Sequence, residues 1–331
     1  MRLVSYNVEW FASLFDDQDQ LILDQQASGR HGVDRYTQGH ALAHVFQTLD
    51  ADAVMVIEAP NSGKTQGTVR ALENFADRAG IRARAVVMGF SNDTQQEIAL
   101  MYDPDVLQAQ HDPLQSEDAP RFDDVLKLDL DIDAKMDHVR FSKPPLELAM
   151  TTAKGQKLRL IGAHLKSKAP HGARNRDAEI RISIANRRKQ LAQAIWLRRR
   201  VEQHLRDGQD LIVMGDLNDG PGLDEYERLF GRSSVEIVMG DDMQDPHASH
   251  LLQPRSADQP STSRFYNART KRYFRALLDY VMVSPGLVKH APEWRIWHPF
   301  EDARCYADVE LREALLAASD HFPVCLDIEL T

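Results

Sequence analysis

Oxygen- and imidazole-bearing side chains recur along this chain just where short apolar runs stop. Asn7 follows Leu3–Tyr6, Glu58 follows Val54-Met55-Val56-Ile57, His164 follows Leu158–Ala163, and Asp216 with Asn218 follows Leu211–Met214. Two more groups fit loosely, Asp279 inside an apolar run and Asp320-His321 just ahead of the last one. Carboxylate and amide oxygens suit a hard cation such as magnesium. That ion keeps several waters, so one or two carboxylates and a substrate phosphate suffice. A phosphoester also needs an activated water and a stabilised leaving oxygen. Each residue taken singly has a structural reading: His164 as a satisfied histidine, Asp216-Leu217-Asn218-Asp219-Gly220 as a turn, Asp320 as a cap. Glu58 resists that treatment, because a carboxylate at the end of a buried strand is costly. The joint pattern favours catalysis. His31, His40, His44, His171, His204, His247 and His250 lie in no comparable motif and are given no role.

Polar groups at strand ends converge on one rim of a sheet, where apolar strand bodies hold them rigid. Strands are expected at Leu3–Tyr6, Ala53–Ile57, Ala83–Met88, Ile98–Tyr102, Leu146–Thr151, Leu158–Ala163, Leu211–Met214, Leu278–Val283 and Pro323–Ile328. Helical periodicity puts Leu42, Val45, Phe46 and Leu49 on one face, and Leu72, Phe75 and Ala76 on another. The longest helix is expected from about Glu179 to Arg206, with a stripe of Ile180, Ile184, Leu191, Ala194, Ile195, Val201 and Leu205. Strand-sized runs alternating with helices are the pattern of a layered α/β protein. Two stretches read as excursions from the core. Asp103–Asp137 is acidic and proline-bearing, and Ser284–Ser319 holds Trp294, Trp297, Pro299 and a short alanine-rich helical pattern. Neither resembles a linker, and no repeat or low-complexity segment occurs. Residues 1–331 are therefore expected to form one domain with decorated loops.

The 331 residues, 43% of them hydrophobic, can bury a large core. Cys305 and Cys325 are too few for a disulfide framework and lie in no C-x-x-C motif, so both read as core residues. No apolar run approaches a membrane span. The N-terminus opens on a core strand rather than a signal architecture, and a cytoplasmic enzyme is the expectation. The net charge of −10, from 50 acidic and 40 basic residues, argues against reliance on nonspecific phosphate-backbone attraction. Yet Lys166–Arg206 holds twelve Lys/Arg against three Asp/Glu. A solvated helix face is the preferred reading of that run; the other is a basic rim beside a site for anionic substrates.

Six segments carry a resemblance: Ser5-Tyr6-Asn7-Val8-Glu9, Val56-Ile57-Glu58, Gly162-Ala163-His164-Leu165-Lys166, Met214-Gly215-Asp216-Leu217-Asn218, Leu278-Asp279-Tyr280-Val281 and Ser319-Asp320-His321-Phe322-Pro323-Val324. In order and wording they resemble the successive motifs of the endonuclease/exonuclease/phosphatase superfamily. That group includes DNase I-like nucleases, apurinic-site endonucleases, sphingomyelinases and inositol polyphosphate phosphatases. Lys143-Pro144-Pro145-Leu146 is similar to the family's proline-containing strand. The resemblance implies a four-layered α/β sandwich, two packed mixed β-sheets flanked by helices, and a magnesium or manganese cofactor. It implies that Glu58 is the main metal ligand, with Asn7 beside it and Asp320 as a further ligand. It makes Asp279 the group that orients His321. Asp216 would align or deprotonate the attacking water or assist the leaving group, Asn218 would hold a phosphate oxygen, and His164 would donate to the phosphoryl oxygens. Lys166 is a candidate substrate contact, as open to a plain loop reading as to a phosphate.

Departures exist. The family commonly has Arg or Lys two residues before the aspartate matching Asp279, where this chain has Leu277, with Arg275 two further back. The gap from Asp279 to Asp320 is long for the family, which makes the Trp294–Trp297 stretch a candidate lid. Three functions stay open: a metal-dependent phosphodiesterase or phosphatase on a small or lipid-derived ester, a DNA or RNA endo- or exonuclease, and an inactive binding module. The complete acidic and histidine set argues against the third. No obligate protein partner is evident.

Overall fold

The structure, a computed structural model, describes residues 1–63, 66–92, 94, 96–130, 136–170, 172–220, 231–252, 259–267 and 270–330. His171 lies outside them. The first half of the chain forms β1 (Arg2–Asn7), α1 (Arg35–Leu49), β2 (Ala53–Ala59), α2 (Thr68–Ala79), β3 (Ala85–Met88), β4 (Glu97–Tyr102), β5 (Leu107–His111), β6 (Leu126–Leu128), β7 (Asp137–Val139), β8 (Leu146–Thr152) and β9 (Lys157–His164). Then come α3 (Arg176–Arg206), β10 (Leu211–Asp216), α4 (Ser234–Met239), α5 (Pro246–Leu251), β11 (Ser263–Asn267), β12 (Arg272–Ala276) and β13 (Asp279–Val283). The chain ends through α6 (Pro285–Val288), β14 (Glu293–Ile296), α7 (Ala303–Ala307), α8 (Val309–Ala318) and β15 (Val324–Asp327).

Two sheets carry the fold, in strand orders β14-β15-β1-β2-β4-β3 and β13-β10-β9-β8-β5. Both are mixed: β1 is parallel to β2 and antiparallel to β15, and β10 is parallel to β9 and antiparallel to β13. Leu3, Met55 and Ile57 of the first sheet meet Leu148, Leu160 and Ile212 of the second in a shared apolar layer. The other face of the first sheet, with Val4, Tyr6 and Val56, packs under Leu42, Phe75 and Leu315 of α1, α2 and α8. The outer face of the second, with Ile161 and Val213, packs under Trp196 and Leu197 of α3 and Val235 of α4. Helix, sheet, sheet, helix is the four-layered α/β sandwich. Because each sheet is covered on both faces, its central strands read as continuous apolar runs rather than as alternations.

Three expectations need correcting. On α3 the buried residues include Trp196, Leu197, Arg200, Val201 and His204, while Ile184 of the expected stripe is exposed. Glu147 of β8 holds Arg200 and His204 in the interior, a polar burial that an apolar stripe cannot signal. Within Asp103–Asp137, the segment Leu107–His111 is no excursion, because β5 pairs with β8 along the edge of the second sheet. The Trp294–Trp297 stretch is no lid: β14 pairs with β15 at the edge of the first sheet. The Trp294 indole donates to the Val281 carbonyl at 2.6 Å, and Trp297 is buried. Among the described residues, no helix is long and apolar enough to cross a membrane.

Candidate active site

Strand direction explains why distant residues meet. β1 and β2 run parallel and deliver Asn7 and Glu58 at one end, and β15, running the other way, starts just after His321. In the second sheet β9 and β10 end at His164 and Asp216, which are paired in register, and antiparallel β13 starts at Asp279 opposite Asp216. The two rims share a cleft of about 790 Å³. Asn7, Glu58, His164, Lys166, Asp216, Asn218, Asp320 and His321 line it. Asp279 stands one layer behind and reaches the cleft through His321.

The backbone bends to make this rim. Glu58 sits where the β2–β4 register shifts, at φ 62°, so a bulge turns its side chain away from the strand's alternation. Asn218 is left-handed too, at φ 53°. Such strain persists only where the surroundings enforce it, and it concentrates at functional sites. Gly215, at φ 135°, is required by its place: a Cβ there would collide with the Ala163 carbonyl of the neighbouring strand.

Hydrogen bonds fix the side chains. Asp216 accepts from the Asn218 backbone N–H at 2.8 Å, the Asn7 amide at 3.0 Å and the Asn218 amide at 3.2 Å. His321 Nδ1–H donates to Asp279 Oδ2 at 2.7 Å, and the Thr262 hydroxyl donates to the same oxygen at 2.7 Å. That leaves His321 Nε2 toward the cleft, 4.0 Å from Asp216 and from Asp320. Glu58 accepts from Gln96 at 2.5 Å and lies 3.7 Å from Lys143 Nζ. Lys143 also bonds His164 Nδ1 at 3.1 Å, which makes Nε2 the protonated ring nitrogen, 3.6 Å from Asp216.

Burial, then the Asp279 charge, pushes Asp216 up to about 7; burial likewise pushes Asp320 up to about 7 and raises Glu58. Burial, with the neighbouring Lys143 and His321 charges, holds His164 well below the usual histidine range, so it is neutral at pH 7. For His321 burial opposes the charge, but Asp279, Asp216 and Asp320 outweigh it and raise the ring well above its ordinary value.

The residues present fit a divalent cation. Asn7 Oδ1, a buried hard oxygen, has no hydrogen-bond partner among the described residues. It sits among carboxylates whose pKa values burial and mutual repulsion raise, and a hard cation would favour their charged forms. Asp216, Asp279 and His321 also bring ligand atoms within 4.8 Å of one another. Since His321 Nδ1 and Asp279 Oδ2 are already bonded to each other, that trio suits proton handling better than a metal shell.

Several neighbours escaped the sequence reading: Lys143, Gln96, Thr262 and the aromatic pair Phe265 and Phe274, which also line the cleft. Ser319 is another, its hydroxyl donating to the Asn7 carbonyl and accepting from the His321 and Glu9 N–H groups. Lys143 had a signal, its place directly before Pro144-Pro145 at the head of β8. Lys168 also lines the cleft and forms an ion pair with buried Asp219.

A four-layered sandwich with carboxylates, histidines and one acidic cleft at its rim defines a DNase I-like hydrolase fold. The pattern of the Endonuclease/Exonuclease/phosphatase family matches residues 4–321, and the chain belongs to that family of phosphoester hydrolases, which generally depend on divalent metals. No curated protein matches it in sequence. Among solved structures it is similar to D. rerio TDP2 complexed with single strand DNA product (15% identity, TM-score 0.52, 100% of this chain and 99% of that one). It is also similar to an AP endonuclease from Archaeoglobus fulgidus (12%, 0.51, 100% of both chains). A third is the Bacteroides thetaiotaomicron mannosyl-6-phosphatase Bt3783 (14%, 0.50, 100% of both chains). At such identities the likeness is one of fold.

Proposed function

We propose that the chain is a magnesium- or manganese-dependent phosphoester hydrolase, a phosphodiesterase or phosphatase working by in-line attack of an activated water. The observation that carries this reading is the convergence of Glu58, Asp216, Asp320 and Asn7 with His164 and the His321–Asp279 pair around one cleft. Glu58, Asn7 and Asp320 would hold the cation, which supplies charge neutralisation and Lewis-acid polarisation of the phosphoryl group when bound. Asp216, held by three N–H donors and raised to about 7, orients the attacking water and takes its proton near neutral pH. His321, kept charged by Asp279, faces the cleft through Nε2 and gives its proton to the leaving oxygen. Neutral His164, its Nε2–H fixed by Lys143, donates to a phosphoryl oxygen as charge develops there. Asn218 and Lys166 contact the phosphate. Residues 1–331 act as one catalytic domain.

A substrate panel tests this. Purified protein with magnesium or manganese is offered bis-p-nitrophenyl phosphate, p-nitrophenyl phosphate, plasmid DNA and RNA. Turnover of at least one ester, lost in His321→Ala, is expected. Failure with every ester would overturn the reading.

A further inference from the structure

β11 and β12 form a two-stranded ribbon outside both sheets, in register Arg264↔Arg275, Phe265↔Phe274 and Tyr266↔Tyr273. Its root is bonded to the catalytic loop: the Arg264 N–H donates to the Asp320 carbonyl at 2.7 Å, and the Phe322 N–H to the Thr262 carbonyl at 2.7 Å. Since side chains alternate along a strand, one face presents Phe265 and Phe274 to the cleft and the other carries the two tyrosines. The phenyl centroids are 5.0 Å apart, and Phe265 stands edge-on to the His321 ring at 5.3 Å. Phe274 is 53% exposed, as is Trp10 at 50% on the same cleft. On the outer face Arg264 stacks on Tyr273 at 3.4 Å and Tyr266 lies flat against His31 at 4.3 Å, which braces the ribbon.

Charge follows the same layout. Residues 264–275 contain five Lys/Arg and no Asp/Glu, and residues 166–189 contain eight against two, in a chain of net charge −10. Lys166 and Lys168 of the second segment line the cleft. On the ribbon Arg264 lies on the outer face and Arg275 pairs with Glu301, so the cationic edge of the cleft is the Lys166–Lys168 side, facing the acidic floor.

We infer that the β11–β12 ribbon is a base-stacking arm that makes single-stranded polynucleotide the substrate class of this cleft. The inference rests on the phosphoester-hydrolase reading above. Aromatic faces beside a cationic track hold unpaired bases whatever their sequence, whereas a paired base in a duplex has its faces covered by its neighbours. The rings adjoin His321, so a stacked base leaves its own phosphate within reach of the catalytic groups. A lipid surface is the poorer fit. The phenylalanines face the cleft, and the described residues nearest the ribbon's tip are Asn267, Thr270, Lys271 and Arg272.

Binding of fluorescein-labelled ten-nucleotide strands of DNA and of RNA, made with phosphorothioate linkages, is followed by anisotropy with magnesium present. Single strands are expected to bind more tightly than the matching duplex. Phe274→Ala and Phe274→Leu are both expected to weaken strand binding about 5- to 150-fold, while Phe274→Trp retains it. The exposed position tolerates these changes, and thermal melts of each variant check the fold. The inference is overturned if Phe274→Leu binds like wild type, if duplex binds as well as single strand, or if phosphatidylserine vesicles bind in a Phe274-dependent way while strands do not. Turnover of bis-p-nitrophenyl phosphate by the wild type, run alongside, separates the two readings. With turnover intact and no strand binding, the stacking arm alone falls; with no phosphoester turnover at all, both fall.

Discussion

Removing the Asp279 carboxylate should cost almost as much as removing His321 itself. The two share a 2.7 Å hydrogen bond, and both are at most 5% exposed. A charge-assisted hydrogen bond contributes about 1.5–3 kcal/mol, and stripping one partner from a buried pair costs about 3–5 kcal/mol. If that loss falls on the correctly held, charged imidazole, kcat drops about 10²- to 10⁴-fold at 1.36 kcal/mol per tenfold. His321→Ala and Asp279→Ala should each show this with modest change in KM, and the double variant should be little worse than the poorer single. The pH profile adds a second signature. Without the Asp279 charge, burial lowers His321, and Asp216 loses the second largest cause of its rise to about 7. Both limbs of the kcat/KM profile of Asp279→Asn should therefore move to lower pH. Steady-state kinetics on bis-p-nitrophenyl phosphate measure all of this. If the two single losses multiply in the double variant, the residues act independently and the proton-handling pair is refuted.

Other consequences follow from the same geometry. In the metal-free protein Asp320 is protonated below about pH 7, so a cation held there must displace its proton. Magnesium affinity should fall as pH drops through that value, about tenfold per unit for each proton released, and calorimetry in buffers of different ionisation enthalpy counts the protons. Gly215→Ala should lower stability by about 2 kcal/mol or more, because its φ of 135° and the Ala163 carbonyl leave no room for a Cβ; a denaturant melt checks it. Glu147→Ala should cost about 3–5 kcal/mol by stranding buried Arg200 and His204. Its kcat should stay near wild type, since that cluster lies outside the cleft lining.

The parts of this protein that were legible in sequence share a physical reason. Strands buried on both faces are apolar throughout, so Asn7, Glu58, His164 and Asp216 stood out as the polar residues at their ends, and parallel or antiparallel direction carried them to one rim. What escaped depends on tertiary pairing. Lys143 is defined by His164, 21 residues away. Arg200 and His204 look like solvated helix residues until Glu147, flanked by Leu146 and Leu148 in β8, is seen beneath them. The β11–β12 ribbon mixes arginines with aromatic residues on both strands, and no apolar run marks it. Trp294 and Trp297 looked like a lid because large aromatic residues read alike at a cleft and at a covered sheet edge.

The central claim is that hydrolysis depends on a cation held at Glu58. Manganese binding and bis-p-nitrophenyl phosphate turnover should be measured on the same samples after chelation and stepwise metal return, for wild type and Glu58→Gln. Turnover should vanish in EDTA, return in proportion to bound metal, and be lost together with metal affinity in Glu58→Gln. Full turnover in EDTA, or a Glu58→Gln variant that binds manganese and turns over like wild type, would contradict the account.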